Sequence, residues 1–335
     1  ELAKESVPEQ VNIAYGETKL TFGRDYIIPK PFDPRLIAEV PPAVAKAAME
    51  SGVATAPITD WEKYKDELLE RMGSDNKMIR LLTNRARTNP KRIIFAEADQ
   101  IDVLKAAQIV HEEGIGFPIL LGNQEIIKEL KEEIGFDTEV PVFDPKTKES
   151  EAKRLEYAKH FWETRKRKGI TLLDAEKWMR ERNYFGLMMV NTGEADALVT
   201  GYSRSYPSTI KPVIQLIDKA PGVSKIATTN MMMTTRGPVF LSDTAINPNP
   251  TAQELARIAL MTAKTVRMFG MEPVIAMVSF SNFGSSQSEG PNKVREAVAY
   301  LHENFPDLIV DGEIQSDFAL NPELLKSKFP FSKLV

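Results

Sequence analysis

The chain has 335 residues, 42% of them hydrophobic and 27% charged, with a formal net charge of -4, which is the composition of an ordered globular protein long enough for two domains. That charge argues against a nucleic-acid binder with a dominant basic face, and no run of about 18 apolar residues offers a membrane span or signal-peptide core, which favours the cytoplasm. With no cysteine there is neither a disulfide framework nor thiolate chemistry.

From the N-terminus, the chain opens on Glu1 rather than methionine, which suggests a piece of a longer polypeptide, and residues 1–78 read as a connector. Prolines 29, 31, 34 and 41 predict an extended strap over Ile28 to Pro34. Two short helices are expected after it, in AVAKAAMES and WEKYKDELLERMG. From Arg92 onward apolar runs alternate with amphipathic segments: RIIFAEA with IDVLKAAQIVHEEG, FPILLG with QEIIKELKEEIG, ADALVTG with STIKPVIQLIDKA. VFLSDTAIN with TAQELARIALMTAKTVRMFG, VIAMVSF with NKVREAVAYLHENF, and LIVDGEI complete the series. The alternation predicts an α/β fold with largely parallel, helix-covered sheets and ligands at the carboxyl ends of the strands. Subdomains are expected over 79–218 and 219–335.

Thr147 to Leu187, rich in Lys, Arg and Glu, reads as two successive helices forming a capping insertion beside a cleft. Met231 to Met233 reads as core strand. The segment ELARIALMTAKTVRMFGM carries apolar residues around more than one face, which predicts a homo-oligomer, at least a dimer. His111, His160 and His302 are far apart and read as helix-surface residues. Asp311, Glu313 and Asp317 fall on mixed faces of a strand, so no metal is expected.

The candidate chemistry lies in loops that follow strands. SFSNFGSSQSEGP, Ser279 to Pro291, can present backbone amides and a helix N-terminus to a phosphate through Ser281, Asn282, Gly284, Ser285 and Ser286, with a plain connector as the alternative. GYSRSYPSTIKP, DTAINPNPTAQELA and VDGEIQSDFAL are expected on the same sheet edge. In the second of these, Asp243, Asn247 and Asn249 suit a helix cap as well as a ligand contact.

From about Ile93 the stretches RKRKGIT, ADALVTGYSRSYPSTIKPVIQLI, APGVSKI, SDTAINPNPTAQELARIAL, MVSFSNFGSSQ and LIVDGEIQSDFAL resemble the phosphate acetyltransferase (phosphotransacetylase) family. The leading YIIPKPFDPRLIAEVPPAVAKAAMESGVATAPI resembles the end of the NAD(P)-binding domain in bacterial NADP-dependent malic enzymes, which carry a phosphotransacetylase-like domain at their C-terminus. The resemblance implies a two-domain, phosphotransacetylase-type fold of the isocitrate/isopropylmalate dehydrogenase kind. It implies acetyl-CoA or another phosphate-bearing small molecule as ligand, and a malic enzyme catalytic domain in the same polypeptide. That domain would hold NADP and a divalent metal for the oxidative decarboxylation of malate to pyruvate.

The family joins CoA to acetyl phosphate, using arginines for the phosphate and a carboxylate base for the thiol. The resemblance puts Arg165 of RKRKGIT at a phosphate site, where a solvated helix end is the competing reading. The family motif TIRP is TIKP here, so Lys211 keeps a charge and loses the planar fork of a guanidinium. Where the family reads GAVHTTADT this chain reads GYSRSYPST. Tyr202 and Tyr206 add bulk in the acyl volume, Arg204 adds a charge and Ser208 removes a carboxylate. The family's SFSTKGSA is SFSNFGSS, with Phe283 in place of a lysine. Its remaining catalytic residues align beyond Val335, so no catalytic residue is assigned. The expected function is an acetyl-CoA-sensing regulatory domain of a malic enzyme. An active phosphate acetyltransferase and a purely structural oligomerisation domain are the alternatives.

Overall fold

A computed structural model describes residues 2–5, 7–16, 20–71, 74–234 and 236–335. The N-terminal segment is helical, with α1 (Glu9–Tyr15), α2 (Arg35–Glu50), α3 (Trp61–Glu70) and α4 (Ser74–Thr88). The proline strap is neither helix nor strand, but the helix after it starts well before AVAKAAMES and takes Pro41 and Pro42 inside. Asp33 is the reason. Its buried carboxylate accepts the Arg35 backbone N–H and the Arg35 guanidinium at 2.7 to 3.0 Å, which fixes the first turn at Arg35.

Residues 1–218 and 219–335 form two compact units. In the first, β1 (Lys91–Phe95), β2 (Gly116–Leu121), β3 (Val142–Phe143) and β4 (Ala197–Val199) make a parallel sheet in the order β3-β2-β1-β4. Helices α5 (Ile101–Glu112), α6 (Gln124–Ile134), α7 (Glu151–Arg165), α8 (Leu172–Trp178), α9 (Arg182–Asn191) and α10 (Tyr206–Leu216) accompany it. Because side chains alternate across a strand, Ile94, Ile119 and Leu121 enter one core with Tyr157, Phe161, Phe185 and Met188. Phe95 and Leu120 enter the other with Leu104, Ala107, Ile127 and Phe136.

The segment from Thr147 to Leu187 therefore departs from its reading as a two-helix cap. It forms α7, a 3-10 turn at Lys166–Lys168, α8 and the first part of α9, and it supplies most of one core layer, which Met188, Met189 and Leu216 complete. Most of its charges fall on the outer faces, Arg154 and Arg165 being buried, and they mask Tyr157, Ala158 and Phe161, which recur at helical spacing.

In the second unit, β5 (Thr229–Thr234) and β6 (Gly237–Ser242) form an antiparallel hairpin, and β7 (Val274–Val278) and β8 (Ile309–Ile314) a parallel pair. Helix α11 (Ala252–Met268) starts at a capping box of Thr251 and Glu254. It packs Ala256, Ala259 and Ala263 with Val294, Ala297, Val298 and Leu301 of α12 (Glu289–Asn304), over Met277 and Val310. Much of the α11 apolar surface is thus covered inside one chain. Helices α13 (Ser316–Ala319) and α14 (Pro322–Lys328) close the unit. Met231 to Met233 do lie on a strand, but among the described residues β5 pairs with β6 alone, and Met232 is half exposed rather than core. Among the described residues no helix is long and apolar enough to cross a membrane.

Gly312 sits in β8 opposite an irregularity in β7, with φ near +145°. A Cβ there would meet the Met277 carbonyl oxygen at 2.5 Å. Gly312→Ala is expected to destabilise the chain by more than about 2 kcal/mol, through backbone strain and a clash that no side-chain rotation relieves. Urea midpoints of the parent and the variant check this.

Candidate functional site

The loop after β7 is built around a carboxylate from the neighbouring strand. Glu313 is fully buried, and its Oε1 accepts the Gly284 N–H at 2.7 Å, the Arg295 guanidinium at 2.8 Å and the Ser281 hydroxyl at 3.2 Å. The Glu313 carbonyl accepts the Phe283 N–H at 2.8 Å. Asn282 and Gln315 pair reciprocally, Asn282 Nδ2 donating to Gln315 Oε1 at 2.6 Å and Gln315 N to Asn282 Oδ1 at 2.8 Å. The Asn282 N–H goes to the Ser285 hydroxyl, and the Ser286 and Ser288 hydroxyls bond each other at the start of α12. Phe283 has a positive φ of 42°, ahead of Gly284 at 93°. A left-handed phenylalanine costs about 1 to 2 kcal/mol. Its ring offsets this by packing 5.0 Å from both Phe329 and Phe331.

One residue before Gly312, Asp311 serves a different segment. Its carboxylate accepts the Ser332 hydroxyl and the Lys333 N–H at 2.9 and 2.8 Å, which lays the C-terminal aromatic stretch against Phe283. Asn247 donates to Ile226 O at 3.0 Å and to Asp243 Oδ1 at 2.8 Å, and Asn249 accepts from Lys293 of α12 at 2.6 Å. Neither asparagine caps α11. Thr251 does that.

The first unit repeats the arrangement. Glu97, buried just past β1, accepts the N–H groups of Gly201, Tyr202 and Ser203 at 2.7 to 3.2 Å and the Ser203 hydroxyl at 2.7 Å. Burial by itself would raise the Glu97 carboxyl. The Ser203 hydroxyl and the three amides outweigh that and hold it below its ordinary value. Beside it lies a cleft of about 230 Å³ lined in part by Trp178, Arg182, Tyr184, Arg204, Ser208 and Lys211. Trp178 and Tyr184 stack at 5.4 Å, and the Lys211 ammonium lies 5.9 Å from the Trp178 ring centre. Arg182 pairs with both oxygens of Asp99, and Arg204 stands 4.0 Å from Glu181.

Arg165 is neither on an exposed cleft edge nor a solvated helix end. It is buried, and its guanidinium donates to Gln215 O at 2.7 Å, Leu216 O at 3.5 Å and Asp218 at 2.8 Å, closing the end of α10. Tyr202 is turned out of the cleft, its hydroxyl donating to Asp102, which raises its pKa. Tyr206, half exposed, is likewise absent from the cleft lining.

Of the four polar stretches expected on one sheet edge, SFSNFGSSQSEGP and VDGEIQSDFAL meet at the β7–β8 pair, whereas DTAINPNPTAQELA follows β6 of the hairpin and GYSRSYPSTIKP follows β4 in the first unit. Arg165, Arg204 and Lys211 surround α10 in the first unit, while Asn247 and Ser281 to Ser286 belong to the second. The two buried glutamates were missed as organisers of the loops. Their signal is an acidic residue directly closing an apolar strand, in RIIFAEA and LIVDGEI. A groove of about 430 Å³ along α6, lined by Lys128, Lys131, Glu132 and Phe136, contains none of the expected site residues. Among the described residues no group of three or more His, Asp or Glu could hold a metal ion.

Comparison with known proteins places these features in a family. The sequence model of the family described as phosphate acetyl/butaryl transferase matches residues 77–335. An NADP-dependent malic enzyme of Haemophilus influenzae is 41% identical over 336 residues, covering 100% of this chain and 44% of its own length. A phosphate acetyltransferase of Thermoanaerobacterium thermosaccharolyticum is 39% identical over 264 residues, 76% of this chain and 79% of its own. Among solved structures, a phosphotransacetylase from Streptococcus pyogenes matches with a TM-score of 0.69 and 37% identity, over 77% of this chain and 78% of its own. This chain therefore spans less than half the length of that malic enzyme relative.

A carboxyl whose folded pKa is depressed contributes stability that is complete above its unfolded value, about 4.3, and is lost as pH falls through the lower folded value. Glu97→Gln should thus cost about 1.5 to 3 kcal/mol near neutrality and less as the pH falls to about 3. Urea midpoints at the two pH values test this, and equal losses at both would show that the charge is not what holds the loop. Arg165→Ala should cost about 1.5 to 3 kcal/mol of stability, because the partners it leaves are carbonyls ending α10. Thermal melts of that variant decide the point.

Proposed function

We propose a function for this chain from one premise: it belongs to the phosphate acetyl/butaryl transferase family. The proposed role is regulatory. The chain binds acetyl-CoA and adjusts malate oxidation in a malic-enzyme-type polypeptide, whose remaining part would hold NADP and a divalent metal and release pyruvate. The match over the whole of this chain to an NADP-dependent malic enzyme supports the polypeptide context.

The observation that carries the regulatory reading is how the cations in and near the first unit's cleft are disposed. Arg182 is paired with Asp99, Arg204 faces Glu181, and Arg165 is enclosed at the end of α10. Lys211 stands over Trp178 and, among the described residues, has no carboxylate partner. One ammonium attracts an anion as a point charge. It does not supply the two-pronged donor that fits a phosphate, or the charge developing during transfer. Ground-state binding without a matched transition state gives affinity and no rate. For such binding to regulate, acetyl-CoA must prefer one activity state of the whole polypeptide. Taken by itself, the second unit offers Asn282, Ser285, Ser286 and Asn247 as a separate set of candidate polar contacts, with Ser281 and Gly284 held by Glu313.

The 39% identity to a phosphate acetyltransferase favours active acetyl transfer as the second reading. Calorimetric titration with acetyl-CoA, paired with an assay of CoA-dependent acetyl phosphate consumption, separates the two. Binding without turnover is expected, and Lys211→Ala should weaken binding by about 1 to 3 kcal/mol. Robust turnover would establish the transferase reading, and no heat of binding would leave a structural role. Phe283→Lys should not restore transfer, and should lose about 1 kcal/mol or more of stability with its two ring contacts.

A further inference from the structure

Helix α2 is amphipathic, yet none of its residues is buried. Val40, Ala43, Val44 and Ala47 recur at i, i+3, i+4 and i+7, the spacing of a core-facing stripe, and all four are exposed. Among the ties from α2 to α3 are a Glu39–Lys65 ion pair at 3.1 Å and Lys46 over the Trp61 ring at 5.2 Å. The strap before it continues the surface, with Ile27, Ile28 and Phe32 exposed at 63%, 75% and 76%. The strap is nevertheless held in place: Tyr26 beneath it is buried, Gly23 and Tyr26 form a bridge, and Asp33 is buried against Arg35. Each such side chain gains about 1.5 to 3 kcal/mol on burial, so a held surface of this size is one that a partner covers.

The comparisons point to which partner. The family match begins at residue 77, after the whole of this surface. The malic enzyme of Haemophilus influenzae matches 100% of the chain, the surface included, and the chain makes up only 44% of it. We propose that the apolar surface from Phe22 to Val53 is the seam on which the remainder of a malic-enzyme-type polypeptide packs. This rests on the polypeptide context proposed above, but not on acetyl-CoA, so a failed titration and a failed seam are separate results. An interface inside one polypeptide forms at high effective concentration, so an apolar face can be left for it without a separate association step.

The chain has no cysteine, so Val44→Cys and Phe32→Cys each introduce one thiol on this surface, and Lys159→Cys on α7 gives an exposed control. Maleimide alkylation of each site is followed by peptide mass spectrometry, in the 335-residue chain and in the full-length product of its gene. At least one of Val44→Cys and Phe32→Cys should react about tenfold or more slowly in the longer polypeptide, with the control unchanged. Reading them separately keeps the test intact if one variant misfolds. Equal rates in both contexts would overturn the proposal, as would a gene product no longer than these 335 residues. Protection that already grows with the concentration of the 335-residue chain would also overturn it, assigning the surface to a second copy.

Discussion

A carboxylate buried at the end of a strand needs donors, and at two places in this chain a loop supplies most of them. Glu313 takes Gly284 N–H, Ser281 Oγ and Arg295 of α12 all at Oε1, leaving Oε2 without a partner among the described residues, and Glu97 takes the amides of Gly201, Tyr202 and Ser203. In both cases the charge needs the loop as much as the loop needs the charge. Each loop is therefore tied to its strand end by hydrogen bonds, although its residues are mostly small and polar. What surrounds the loops follows from this: the start of α12, the reciprocal pairing of Asn282 with Gln315, and the entry into α10.

The same contacts alter the meaning of a glycine-serine loop. Backbone amides arranged around an anion suggest a phosphate cradle, but the innermost amides here already have an anion from the protein. A phosphate meeting this loop would find the outer hydroxyls of Ser285 and Ser286 rather than the Gly284 amide, which Glu313 already holds. Phe283 fits that picture. Its ring turns toward Phe329 and Phe331 and gives the loop a hydrophobic anchor.

Much of the fold was legible in the sequence because its signals are local. The apolar runs became β1, β2, β4, β6, β7 and β8, and the amphipathic segments after them became α5, α6, α10, α11 and α12. The layer from Thr147 to Leu187 was misread because charge density hides a core face when only Tyr157, Ala158, Phe161 and the residues near Phe185 point inward. The start of α2 was missed because it depends on one buried side chain, Asp33, and the prolines argued the other way. At the site, residue types were readable and commitments were not. Nothing local says that Arg165 serves carbonyls fifty residues on, that Tyr202 bonds Asp102, or that Glu313 is an organiser rather than one of three scattered acids.

The pairing of β1 with β4 joins Ile93 to Ala197 and Phe95 to Val199, and it has a kinetic side. Closing so long a loop is entropically slow compared with forming the β5–β6 hairpin or bringing β8 onto β7. As the chain leaves the ribosome, β1, β2 and β3 can align early, but Glu97 has no amides to receive until residues 201 to 203 emerge. A carboxylate without those donors is stable only in water, so the end of β1 and the loop of residues 201 to 203 have to be buried together.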